Sequence, residues 1–181
     1  MTHLSKKKNY TAMKRLLIFF MIVLFTVSGC SYSFVMNAYP HLKTVQVVPF
    51  ENHTSEFSLA QDFQNFLVER YQSDGRLRIS NLSPDSRVEG SVKDYRNEIL
   101  SYDIAGNISE YRVSILFAIT MTDMVQSNTF FDNQSMLESE SYSPNIPPDT
   151  RTEHLRTEAE AIAKIFDKVF DAIMNSTLAS W

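Results

Sequence analysis

The stretch Ile108-Ser109-Glu110-Tyr111-Arg112-Val113-Ser114-Ile115-Leu116-Phe117-Ala118-Ile119-Thr120-Met121-Thr122-Asp123 decides the fold. Tyr111, Val113, Ile115, Phe117, Ile119 and Met121 alternate with Arg112, Ser114, Leu116, Ala118, Thr120 and Thr122. A period of two marks a β-strand whose two faces meet different surroundings. One face is bulky and has to be covered by an apolar layer. The other is mixed, small and polar. The strand is also longer than a small lone domain requires.

Its neighbours follow on either side. Residues 87–102 form a second extended segment, with Val88 and Val92 in one phase and Tyr95 and Ile99 in the other. The change of phase near Lys93-Asp94 predicts a bulge, because one extra residue swaps the faces. Residues 103–107, with Gly106, supply the hairpin turn, and a last strand is expected over residues 129–141. Further upstream, residues 42–50 are Val-rich and end in Pro49-Phe50, which reads as a strand with Pro49 at its end or on an edge. A short strand over residues 76–80 completes the set.

Two helices supply the cover. Over residues 58–73, Leu59, Phe63, Phe66, Leu67 and Tyr71 fall on one stripe; Ser58 and Gln61 have capping-box spacing, and Gly75 suits the stop. The strand–helix–strand order predicts a parallel crossover. In the last helix, Leu155, Ala159, Ile162, Phe166, Val169 and Ile173 step by fours and threes, with Thr150 and Glu153 spaced as a capping box. The expected fold is α+β: a two-layer sandwich in which a mixed four- to five-stranded sheet carries two helices packed on one face.

The N-terminus has a different character. An apolar run over residues 16–27 follows a basic segment and leads into Val27-Ser28-Gly29-Cys30, and Cys30 is the sole cysteine among 181 residues. Small residues before a cysteine are the cleavage pattern of a lipoprotein signal, and the run is too short for a membrane span. The chain divides accordingly into a signal peptide (1–29), a tether beginning at an acylated Cys30 (30–41) and a single α+β domain (42–181). Residues 13–30 are themselves a complete signal, so Met1 and Met13 are both possible starts. Ser31 follows the cysteine, where an Asp would favour inner-membrane retention; outer-membrane placement is expected.

Charge narrows the partners. Five of the 17 basic residues precede the cleavage site and no acid does, leaving 12 basic against 21 acidic residues in the mature part. A nucleic-acid binder needs clustered cations, so that class is excluded. His3, His41, His53 and His154 show no metal-ligand spacing, and no metal or cofactor is expected. With 4 glycines there is no phosphate-cradling loop, and no nucleophile elbow occurs. Glu138 and Glu140 lie two apart on one strand face and read as solvated carboxylates. The chain is expected to be no enzyme. Ser91, Arg112, Ser114, Leu116, Ala118 and Thr120 should face outward from the uncovered side of the sheet. That face is either solvated or docks against the polar wall of a larger protein, with Ser114, Leu116, Ala118 and Thr120 as the partner-facing candidates.

The order of segments resembles the LptE family of lipopolysaccharide-assembly lipoproteins. The motifs are the Cys30 lipobox, Val45-Gln46-Val47-Val48-Pro49-Phe50-Glu51-Asn52-His53-Thr54, Val88-Glu89-Gly90-Ser91-Val92, Gly106-Asn107-Ile108-Ser109-Glu110-Tyr111 and Phe130-Phe131-Asp132-Asn133. The resemblance implies an outer-membrane protein that plugs the β-barrel LptD, helps it fold and delivers lipopolysaccharide to the outer leaflet with no cofactor. Relatives are thought to touch lipopolysaccharide through basic residues at the hairpin tip and after the Phe-Phe-Asp-Asn stretch. Here the tip reads Asp103-Ile104-Ala105-Gly106-Asn107 and the later region Leu137-Glu138-Ser139-Glu140, so neither is basic. Arg96 and Arg112 are the lipopolysaccharide-contact candidates; cross-strand pairing with Glu98 or Glu110 is the alternative for both. The rival function is a periplasmic lipid-binding or transport-accessory lipoprotein without a barrel. It needs an apolar cavity between sheet and helices, which the 13 phenylalanines could line or fill.

Overall fold

The structure, a computed structural model, describes residues 39–145 and 154–178. The signal peptide, Cys30, most of the tether and the Thr150/Glu153 pair lie outside the described residues.

Among the described residues six strands and two helices form the domain: β1 (Thr44–Val47), β2 (Glu51–Asn52), α1 (Leu59–Asp74), β3 (Arg78–Ile79), β4 (Ser86–Tyr102), β5 (Ile108–Asp123), β6 (Asn128–Tyr142) and α2 (Glu158–Leu178). The sheet runs β3-β1-β4-β5-β6, with β2 also pairing β4. β1 is parallel to both β3 and β4, whereas β4, β5 and β6 form an antiparallel meander. The sandwich and the parallel β1–α1–β3 unit are as expected.

The Val-rich segment differs from the single strand expected over residues 42–50. It splits into β1 and β2, both parallel to β4, around Val48-Pro49-Phe50. Val48 N–H still donates to the Val88 carbonyl (2.9 Å) and His53 N–H to that of Val92 (2.9 Å). Pro49 lies between them without an N–H, so the ladder lapses there and resumes.

The apolar layer is one cluster. Val88, Val92, Val113, Ile115, Phe117, Ile119 and Met121 from the sheet meet Leu59, Phe63, Leu67 and Tyr71 from α1 and Ile165, Phe166, Val169 and Phe170 from α2. Phe63 sits at the centre, with its ring 4.8 Å from Phe117, 5.0 Å from Phe166 and 5.0 Å from Phe50. Tilted and edge-on contacts of this kind suit the ring quadrupoles. Burial also pushes the Tyr71 phenol above its ordinary range.

Three local expectations change. Ser58 adopts a helical conformation and makes no side-chain cap; Gln61 instead donates to Asn65 (3.0 Å). Gly75 does stop α1, with φ of 75° and its N–H on the Tyr71 carbonyl (3.1 Å). For α2 the cap is Thr157 with Glu160. Thr157 Oγ1 accepts from Glu160 N–H (3.2 Å), and the Glu160 carboxylate accepts from the N–H groups of Thr157 (3.3 Å) and Arg156 (2.6 Å). The buried stripe shifts with it to Ala161, Ile165, Phe166, Val169, Phe170, Ile173 and Met174, while Ala159 is exposed.

The bulge expected near Lys93-Asp94 is present: the β4–β5 register slips between Val92 and Asp94. Beyond it the layer thins. Tyr95 and Asn97 still reach the start of α2, where Glu158 accepts from both hydroxyl and amide, and Tyr111 stacks on Tyr142 at 5.2 Å. From Arg96 to Leu100 every residue of β4 is exposed. β6 ends opposite Tyr111, so the hairpin continues as a two-stranded ribbon to the tip, flanked only by the segment after β6, where Asn145 donates to the Ile108 carbonyl (2.9 Å). At about 3.3 Å per residue, the 17 residues of β4 place the tip roughly 50 Å from the strand's start.

That start is where the described chain enters. The Asp85 carboxylate accepts from Lys43 N–H (2.9 Å), Thr44 N–H (3.0 Å) and the Thr44 hydroxyl (2.9 Å). Buried Asp123 accepts from Val125 N–H (2.8 Å) and Gln126 N–H (2.9 Å), and His41 Nε2 lies 2.5 Å from its Oδ2. For Asp85 the Lys43 N–H is the main cause holding the carboxyl below its usual 3.8. For Asp123 burial acts upward, but the bonds from Gln126, His41 and Val125 outweigh it and the pKa falls. Both acids are more acidic folded than unfolded, so they add stability above the ordinary carboxylate range that is lost as pH falls through the folded values. Thermal melts between about pH 5 and pH 2 should show this acid limb, with a smaller slope in Asp85→Asn.

Candidate functional site: the uncovered sheet face

The face of the sheet opposite the helices is polar and shallowly cleft. One cleft of about 300 Å³ is lined by Glu89, Gly90, Ser91, Lys93, Ala118, Thr120 and Gln134, among others. A second, of about 220 Å³, is lined by Asp94, Arg96, Glu98, Ser114, Leu116 and Leu137. The four partner-facing candidates therefore fall on this face, divided between two adjoining clefts.

Their surroundings differ. Ser114 is half-buried, its hydroxyl 3.0 Å from that of Ser139. Leu116 stands opposite Leu137, which is exposed, giving the face one apolar spot. The Thr120 hydroxyl donates to Asp132 (3.3 Å) and accepts from Gln134 (3.1 Å). Ala118 and Ser91 depart from expectation, since both are buried, Ala118 at 6 % exposure and Ser91 at 8 %. The reason is a second bulge. Gln134 and Ser135 of β6 together oppose Ala118 alone, because Phe117 pairs with Met136 and Ile119 with Asn133. Lys93, the extra residue of the first bulge, reaches across β5 to the Gln134 carbonyl (2.8 Å) and roofs the spot.

Gly90 makes close approach possible. A Cβ there would lie 2.0 Å from the Ala118 carbonyl oxygen and 3.1 Å from Ile119 Cα. Both are backbone atoms, so β4 and β5 are drawn together where only hydrogen fits. The sequence marks the bulge at Lys93 through the phase change, but nothing in it announces Gln134 or Leu137 as neighbours of this face.

The two arginines are not brought together. Arg96 Nε donates to Asp94 Oδ2 (2.8 Å), two residues back on its own strand rather than to Glu98 or Glu110. Its guanidinium lies beside the second cleft already paired. Arg112 is exposed towards the hairpin, in register with Glu98, and forms no ion pair with the described residues. Among the described residues no three His, Cys, Asp or Glu side chains gather as a metal-binding set.

The pattern of the LptE family, described as lipopolysaccharide-assembly, matches residues 42–177. The chain belongs to the LptE family. The match runs from the residues before β1 almost to the end of α2 and so takes in the whole described sandwich. No curated protein matches the sequence. Among solved structures, the hypothetical protein CT253 from Chlamydia trachomatis overlays with a TM-score of 0.52 at 10 % identity, covering 75 % of this chain and 98 % of that one. Its likeness is one of fold. The rare lipoprotein B from Shewanella oneidensis gives a TM-score of 0.44 at 15 % identity (72 % and 92 % covered). A minor lipoprotein from Acinetobacter baumannii gives 0.44 at 15 % (76 % and 94 %). As an LptE-family member, the protein is a lipopolysaccharide-assembly component of the bacterial envelope.

Proposed function

We propose that the protein is an outer-membrane lipoprotein, anchored through Cys30, that plugs and helps assemble an LptD-type β-barrel for delivery of lipopolysaccharide to the outer leaflet. Family membership carries this reading. The uncovered sheet face supports it physically. Porin-type barrels have polar interiors, and a face of hydroxyls, amides and paired charges with one small apolar spot suits such a wall without requiring a large apolar interface.

The barrel-free reading asks for an apolar chamber between sheet and helices. That space is filled by Phe50, Phe117 and Phe166 packed around Phe63, which favours the plug.

The test is recovery of a partner. A tagged mature protein isolated from outer membranes should bring down a large β-barrel in near-equal amount, and recovery of the lipoprotein alone would sink the proposal. Leu116→Arg, on a half-buried position of the face, should lower the recovered barrel without shifting the melting transition by more than about 3 °C. Cys30→Ala behind a soluble-export signal should retain part of the barrel-assembly function, since an enclosed plug is held by two attachments. Complete loss, with the protein folded and abundant, would make the anchor the more important of them.

A further inference from the structure

We infer that the two loops at the tether end, residues 81–84 and 124–127, form a shallow apolar surface that lies against the lipid bilayer; the inference rests on the proposed acylation of Cys30. Three observations carry it.

The first is composition and exposure. Neither loop contains a Lys, Arg, Asp or Glu. Leu82 is 87 % exposed, Val125 62 % and Met124 39 %. The acids that border the loops do not offset this, because Asp85 and Asp123 turn their carboxylates onto neighbouring N–H groups and His41. Ser83 and Ser127 hold positive φ of 49° and 55°, tight turns that bring the chain back beneath the apolar tips.

The second is that the loops share one edge. Met124 N–H donates to the Asp85 carbonyl (2.8 Å), and Ser86 pairs with Asp123. His41 on Asp123 and Tyr39 stacked on Phe130 at 5.2 Å put the entry of the chain beside them.

The third is reach. The nine residues from Cys30 to Tyr39 span at most about 32 Å when fully extended. An acylated Cys30 therefore holds this end near the bilayer, while the hairpin tip stands at the far end of β4. Uncharged loops with apolar tips suit the headgroup boundary, where Leu, Val and Met side chains leave water without dragging a charge along. Exposed Lys43 beside them adds attraction to anionic headgroups.

The experiment uses the full acylated chain in vesicles of phosphatidylethanolamine and phosphatidylglycerol. An environment-sensitive fluorophore is placed at Val125→Cys or, at the opposite end, at Ile104→Cys; acylation leaves Cys30 without a competing thiol. Doxyl-labelled lipid should quench the probe at 125 at least about twofold more than the probe at 104. Adding Leu82→Gln and Met124→Gln should bring the two together while the melting transition stays in place. Equal quenching at both positions, in a chain whose mass shows the acyl groups, would overturn the membrane contact alone. A chain whose mass shows no acyl group at Cys30 would overturn the anchor and the contact with it.

Discussion

Gly90→Ala should cost about 3 kcal/mol, the upper part of the range for overpacking a tight interior. The added methyl would sit 2.0 Å from the Ala118 carbonyl oxygen, and the next nearest atoms are also backbone. A side chain could rotate away, but a peptide unit held between two strands cannot. β4 and β5 would have to part close to the bulge at Lys93, which already weakens their ladder. For a domain of this size that corresponds to a fall of roughly 10 °C in melting temperature, measurable by circular dichroism. Gly106→Ala is the control. Its Cβ meets nothing within 4 Å, so only the strain of φ at 86° remains, about 1 kcal/mol. If the two variants melt alike, the close approach at Gly90 has no energetic weight.

Phe63→Ala is expected to cost about 4 kcal/mol, within the usual range for deleting a fully buried aromatic ring. Among the described residues Phe63 is the one ring that touches β5, α2 and the Phe50 loop together, so its loss opens a cavity bordered by all of them. Phe66→Ala provides the comparison. Phe66 is only half-buried, contacts Phe166 at 5.6 Å and should cost less than half as much. Urea denaturation of both variants checks the ratio. Since domains are stable by only about 5–15 kcal/mol, Phe63→Ala should also lower the steady-state amount in cells, and lipopolysaccharide assembly with it.

These two positions show why the sequence disclosed some features and withheld others. Phe117 and Ile119 sit in a strict alternation that no helix could satisfy, so the central strand and its buried face were legible at once. The stripe of α1 was legible because Leu59, Phe63, Phe66, Leu67 and Tyr71 recur at helical spacing. The phase break after Val92 disclosed the first bulge, because burial on one face makes register visible in hydrophobicity. The second bulge fell among Asn133, Gln134 and Ser135, all polar, where a slip changes no apolar phase. Hence Ala118 was expected at the surface and is buried. Helix caps misled for another reason. Thr150 with Glu153 and Thr157 with Glu160 both have the required spacing, and among the described residues it is the second that caps α2 at Glu158. On the candidate face, Ser114, Leu116 and Thr120 were placed by alternation alone. Lys93 and Leu137 joined them through cross-strand pairing, which one chain read linearly does not display.

The parallel pairing of β1 with β4 also bears on how the domain carries force. The described chain begins at Tyr39, at the end where β1 starts, so a pull applied there along the strand axis loads β1 first. β1 lies between β3 and β4 and is hydrogen-bonded on both sides. Such a pull loads those bonds together, in shear, instead of peeling them one after another. The bonds of Asp85 to Lys43 and Thr44 and of Asp123 to His41 lie at that end and share the load. The long hairpin, joined to β1 only through the first few residues of β4, lies outside that load path. Tension at the start of β1 would leave the outer part of the hairpin at rest.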